Sequence, residues 1–196
     1  QGRFEQSAKN TRLHGRTAAV IGLGAIGTRV TVLLQALGVG VRAVNRSGST
    51  RLPVQRCCRL DELDAALADA DIAVVCIALN AETLGRIGRR ELALLRPDAI
   101  LVNVSRAAVV QQDALFEHLS AHPQFRAGLD VWWDEPMHGG AFRLGHPFFD
   151  LPNVVGSPHN SPMVDGIMTD LALAAAANIA RHLRGEPPQH VATSAM

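Results

Sequence analysis

The chain has 196 residues, of which 47% are hydrophobic and 19% charged, so it can bury a core and does not have the composition of a disordered polymer. Its 19 basic and 18 acidic residues are interspersed and leave a formal charge of +1, which argues against nucleic acid as a partner. The longest apolar stretches, Asp71 to Leu79 and Leu171 to Ala177, fall short of the roughly 20 residues of a membrane span, so no membrane partner is expected.

The opening residues, among them Gln1, Arg3, Glu5 and Lys9, are polar and lack the apolar core of a signal peptide. A first strand is expected over 17–21, and Gly22-Leu23-Gly24-Ala25-Ile26-Gly27 links it to a helix over 26–37. This strand, glycine turn and helix form a dinucleotide fingerprint. Gly22 permits the tight turn, Gly24 lets the backbone approach a pyrophosphate, and Gly27 allows close helix-to-strand packing. The helix start at Ala25 and Ile26 offers N–H groups to the phosphates. A second strand over 39–44 ends at Asn45-Arg46-Ser47, about 20 positions on, where an acidic residue would meet the adenosine ribose. Asn45 removes the carboxylate that repels a 2′-phosphate and Arg46 can pair with one, so NADP is favoured over NAD. The alternative is that Arg46 only covers the adenine face or sits in solvent.

Cys57 and Cys58 lack the spacing of a redox pair, and with Cys76 they make three cysteines, which suits a reducing compartment and a cytoplasmic protein. Further elements follow in strict alternation: helices near 60–69, 89–95, 111–121 and 162–183, and strands near 72–77, 99–104, 126–131 and 153–155. Such alternation is the signature of an α/β fold, a doubly wound parallel sheet with helices on both faces. Residues 133–152 form the longest irregular stretch, which Trp132-Trp133 and Phe148-Phe149 are expected to pack, unless they serve a dimer contact. His118 and His122 stand four apart, but no third ligand is near in sequence, so no metal site is expected.

Three polar residues fall where later strands end, at the edge on which open α/β sheets place ligands: Arg106 after the fourth expected strand, Glu135 after the fifth and His159 after the last. An arginine can grip a substrate carboxylate in a bidentate pair, and a histidinium can give a proton to a carbonyl oxygen as hydride arrives. A carboxylate beside that histidine would favour its charged form. Each residue alone has an ordinary structural explanation. Their joint occurrence downstream of a dinucleotide turn favours chemistry on a small 2-oxo or 2-hydroxy acid.

With these residues in view, the sequence resembles the D-2-hydroxyacid dehydrogenase family, which includes glyoxylate/hydroxypyruvate reductases. The resemblance runs from about Leu13 to Val191 and is carried by Leu13-His14-Gly15-Arg16 and the glycine turn. Later matches are Glu82-Thr83, Ile87-Gly88, Leu101-Val102-Asn103-Val104-Ser105-Arg106, Gly128-Leu129-Asp130-Val131, Glu135-Pro136, Leu151-Pro152-Asn153-Val154 and Ser157-Pro158-His159. It implies a Rossmann fold, with Arg106 binding substrate, His159 as acid/base and Glu135 as its partner. It also implies that Asp130 lies near the nicotinamide amide, that Ile77, Ala78, Leu79 and Val104 line the cofactor, and that cofactor domains pair into a homodimer.

The sequence departs from the family pattern in four places. Ala107 replaces a glycine, Ala78 replaces a proline, Gln111-Gln112 stand where acids are common, and Asn45 puts NAD preference in doubt. Ala107 would strain the turn if its position needs a positive φ. Family members carry a substrate domain before the glycine turn, so residues 1–12 are expected to be a linker remnant, 13–160 the cofactor domain, and 161–196 a helix and tail returning to the substrate domain. That expectation makes the chain a cofactor-domain fragment of an oxidoreductase, poorly active alone. A naturally short, non-enzymatic dinucleotide-sensing or scaffold module is the alternative.

Overall fold

The computed structural model describes residues 11–136 and 141–189; most of the expected linker 1–12 and the last seven residues of the expected tail lie outside them. The chain divides into two compact units, Gln1–Pro158 and His159–Met196. Among the described residues the first contains seven strands: β1 (Thr17–Ile21), β2 (Gly40–Val44), β3 (Arg56–Cys58), β4 (Ile72–Val75), β5 (Ile100–Asn103), β6 (Arg126–Leu129) and β7 (Val154–Gly156). It also contains the helices α1 (Ala25–Ala36), α2 (Leu63–Leu67), α3 (Arg89–Leu92) and α4 (Gln112–Ala121). The second unit contains α5 (Ile167–Leu183).

All strand pairs are parallel, in the order β3-β2-β1-β4-β5-β6-β7. Ile72 to Val75 are all buried, as expected of a central strand covered on both faces. Ala19, Ile21, Val75, Leu101 and Leu129 pack into the larger core with Leu63, Leu67, Leu115, Phe125 and Phe148. Ala18, Ile72 and Val74 face the other way and pack with Val39 and with Val30 and Leu34 of α1. This is the doubly wound Rossmann architecture expected from the alternation of elements.

Single side chains close the ends of several elements. Asp71 accepts from the Thr17 N–H at 2.8 Å and from Arg16 Nη1 at 2.5 Å, tying the starts of β1 and β4. Buried Asn153 donates through Nδ2 to Phe125 O at 2.8 Å and Leu119 O at 3.0 Å, fixing the end of α4 against the approach to β7.

The structure corrects the sequence reading in four places. β3 was not expected: Arg56-Cys57-Cys58 is too short for a hydrophobic run and lies at the sheet edge, paired with β2 alone. The helix expected over 60–69 is a one-turn 3-10 helix, Leu60–Glu62, followed by α2, which ends before Asp69 takes up φ +54° and donates its N–H to Leu94 O. α3 stops at Leu92 rather than near 95, where the N–H groups of Leu94 and Leu95 bond at three-residue spacing to Glu91 and Leu92. α5 starts at Ile167 rather than near 162, because residues 160–164 fold into turns with Met163 N bonded to Asn160 O and Val164 N to Pro162 O.

Candidate functional site

The strand register sets one continuous row at the C-terminal edge of the sheet: Cys58, Val44, Ile21, Val75, Asn103, Leu129 and Gly156. The sequence reading's candidates in the first unit leave the sheet just beyond this row. The strand order reverses between β1 and β4, the point at which doubly wound sheets open a ligand crevice.

The glycine turn lies at that point. Gly22 has φ +100° and donates its N–H to Val44 O at 2.8 Å; a Cβ there would come within 2.7 Å of the Ile77 backbone. A Cβ on Gly27 would sit 1.8 Å from the Gly22 carbonyl oxygen, so α1 can approach β1 only with glycine at this position. Gly24 is different: it is exposed, and a Cβ on it would meet nothing within 4 Å. Ala25 and Ile26 are also exposed, and the first-turn N–H groups of α1 have no intrahelical acceptor. Open backbone and aligned donors fit the pyrophosphate of a dinucleotide.

At the end of β2, the Asn45 side chain closes a small loop. Its Oδ1 accepts from Gly48 N at 2.7 Å and Ser47 Oγ at 3.2 Å, and its Nδ2 donates to Ser49 O at 2.7 Å. Arg46 and Ser47 are exposed on that loop. After β4, Ile77 is half-buried against the core while Ala78 and Leu79 are exposed. Thr83 Oγ1 pins this segment by donating to Ala78 O and accepting from Asn80 N, each at 2.8 Å. The neighbouring Cys76 thiol, packed against the cluster that holds Ala18, Ile72 and Val74, is pushed up to about 11 by burial and so stays neutral at physiological pH.

After β5, buried Asn103 builds the turn that carries Arg106. Its Oδ1 accepts from Ser105 N and Oγ at 3.1 and 3.0 Å, and its Nδ2 donates to Arg106 O at 3.2 Å. Val104 is half-buried, Arg106 is exposed and extended (φ −141°), and Nη1 donates to Ser105 O at 2.7 Å. Ala107 opens a 3-10 turn with no positive φ, so alanine fits there without the strain considered from the sequence. After β6, Asp130 is buried and accepts from Ser157 Oγ at 2.5 Å. Half-buried Glu135 accepts the Trp132 N–H through Oε1 at 2.8 Å.

The first unit therefore brings the glycine turn, Asn45 to Ser47, Ile77 to Leu79, Val104, Arg106, Asp130 and Glu135 to loops that follow the same sheet edge. His159, three residues beyond Gly156, is the first residue of the second unit; it is half-buried with φ +51°. Asn103, Ser157 and Thr83 were not singled out from the sequence as positioning residues. An amide inside the apolar run Leu101 to Val104 was the available signal for Asn103.

The aromatic, histidine and cysteine features noted in the sequence take the following places in the fold. Trp132 and Phe148 are buried, and Phe148 packs edge-on to Trp132 and stacks on Trp133. His118 and His122 stack with ring centroids 4.2 Å apart, and burial, followed by the neighbouring His122 charge, pushes His118 down to about 4. Cys57, Cys58 and Cys76 are free thiols. No helix among the described residues is long and apolar enough to cross a membrane.

Comparison with known proteins gives a consistent result. Residues 1–161 match the model of the D-isomer specific 2-hydroxyacid dehydrogenase NAD binding domain. The chain is 34% identical over 181 residues to glyoxylate/hydroxypyruvate reductase B of Pectobacterium atrosepticum, covering 90% of this chain and 54% of that protein. It spans about half the length of the curated reductases it matches. A D-isomer specific 2-hydroxyacid dehydrogenase from Xanthobacter autotrophicus, solved with NADPH and MES, superimposes with a TM-score of 0.80 at 29% identity, covering 97% of this chain and 76% of that one. D-lactate dehydrogenase from Lactobacillus jensenii, solved with NAD+, gives 0.78 at 25% identity, covering 98% and 60%.

Proposed function

The chain belongs to the D-isomer specific 2-hydroxyacid dehydrogenase family through its NAD-binding domain, and from that premise we propose that it is the cofactor-holding part of an oxidoreductase that reduces a small 2-oxo acid to its D-2-hydroxy acid. The observation that carries the proposal is the shared sheet edge, where an open glycine cradle and an exposed arginine on a braced turn follow strands in direct register. A bound nicotinamide cofactor supplies the hydride. Gly22, Gly24, Ala25, Ile26 and Gly27 hold its pyrophosphate, Ile77, Ala78, Leu79 and Val104 line it, and Asp130 orients its amide. Arg106 grips the substrate carboxylate, His159 gives a proton to the carbonyl oxygen, and Glu135 favours the charged histidine. A pure dinucleotide sensor would need none of these last three.

NADP is the preferred cofactor in this reading, because the loop from Asn45 to Thr50 contains no carboxylate and exposes Arg46 and Ser47. The protein acts in the cytoplasm, in keeping with its three free thiols, and pairs as a homodimer through its cofactor domain. Full turnover requires a protein of the relatives' full length, since a cleft with one wall neither excludes water nor orients the oxo acid. In such a protein, His159→Ala is expected to lower kcat with glyoxylate or hydroxypyruvate at least about 100-fold while leaving cofactor affinity intact. Full reductase activity in that variant would overturn the assignment.

A further inference from the structure

Arg59 follows β3, the strand that the sequence did not announce, and β3 brings it beside the adenosine end of the cradle. Val44 and Cys58 are register partners, and the Asn45 N–H donates to Cys58 O at 3.0 Å, so the first residue beyond β3 lies next to the first residue of the Asn45–Ser49 loop. The contact extends to the side chain: a Cβ on Gly48 would lie 3.0 Å from Arg59 Cγ and 3.7 Å from Cδ. The arginine stem thus rests on the loop that Asn45 latches shut.

The guanidinium is held at this place without being consumed. Asp61 Oδ1 meets Nε at 3.4 Å, a long and largely exposed pair of the kind that contributes little. The terminal nitrogens Nη1 and Nη2 have no hydrogen-bond acceptor among the described residues. Glu62, the other nearby acid, accepts from the Arg59 backbone N–H at 3.2 Å and faces Arg56 Nη2 at 3.7 Å. The Asn45 amide is occupied within the loop, so it braces the neighbouring groups.

Building on the NADP preference proposed above, we propose that Arg59 is a second cation for the 2′-phosphate of the cofactor, acting with Arg46 and Ser47 from the segment that follows β3. A dianionic monoester is well matched by two guanidinium groups, each able to donate in a planar pair. One arginine gives attraction, and a second approaching from another strand adds discrimination between the phosphate and a plain ribose hydroxyl.

The test uses the full chain and two nucleotides, adenosine 2′,5′-bisphosphate and adenosine 5′-monophosphate, with affinity measured by calorimetry. Arg59→Gln is expected to weaken the bisphosphate about tenfold and the monophosphate by less than about twofold. Arg59→Lys should recover part of the loss, and thermal unfolding should show both variants folded. An unchanged bisphosphate affinity, or an equal loss for both nucleotides, overturns the proposal. If Arg46→Gln removes the preference while Arg59→Gln preserves it, Arg59 fails and the NADP reading stands. If the unaltered chain does not prefer the bisphosphate, the NADP reading fails and Arg59 with it.

Discussion

Gly24 and Gly27 belong to one motif yet are glycine for different reasons. Gly24 has φ −78°, a conformation open to any residue, and a Cβ there would meet no protein atom within 4 Å. Only a ligand would notice the added methyl. At Gly27 the added carbon would sit 1.8 Å from the Gly22 carbonyl oxygen, which the fold itself cannot accept. Gly24→Ala is therefore expected to leave the unfolding midpoint within a degree or two, on the order of 0.5 kcal/mol, while weakening dinucleotide binding about tenfold or more. Gly27→Ala should cost at least about 2 kcal/mol in denaturant unfolding before any ligand is added. Equal stability losses in the two variants would contradict this division of roles.

The elements add a pH dependence through α4. His118 lies in the last turn of that helix, half-buried, stacked on His122 and set edge-on to Phe125 at 4.6 Å. Its folded value is pushed down to about 4 from 6.5 by burial and then by His122, so the folded state favours the neutral ring. The unfolded chain takes up the proton first as pH falls. The stability associated with the neutral ring is thus present above about 6.5, declines through the interval below it and is lost near 4. Allowing for partial exposure, the loss is about 1–2 kcal/mol, and urea unfolding at pH 7 and pH 4.5 should show it in the parent chain. His118→Leu should reduce the difference by that amount, with the carboxylates common to both proteins; an unchanged difference would remove His118 as the cause. The elements also show what the sequence could reveal. Ile72 to Val75 could be read as a strand because a central parallel strand must be apolar on both sides, and the glycine turn because its spacing reflects backbone clearance. Arg56 to Cys58 could not, since an edge strand of three residues is specified by its partner β2 rather than by its own pattern. The placement of Arg106 just beyond the sheet edge was legible from its position after an apolar run. The roles of Asn103, Thr83 and Asn45 in bracing loops depend on hydrogen bonds formed only after the chain folds.

At the scale of the molecule, α1 leaves an apolar surface uncovered. Val30 and Leu34 pack inward, while Ile26, Val32, Leu33 and Leu37 are at least half exposed. Exposed apolar side chains grouped on one helix are a common site of contact with another protein, and we assign the proposed homodimer to this face. Sedimentation should find a dimer in the micromolar range, and Leu33→Lys with Leu37→Lys should raise the dissociation constant at least about tenfold. An unaltered dimer would place the interface elsewhere. The strand order has a different consequence, for the closures that the chain must make. β2 lies down beside β1 and β3 beside β2, building outward in one direction. Beyond Cys58 the chain must return across the sheet for Ile72 to meet Ala18, the longest closure between paired strands and an entropically costly one. From there β5, β6 and β7 each join the edge formed by the strand before. The return at the crevice is thus also the one step at which the sheet changes direction along the chain, and each later strand pairs with the one before it.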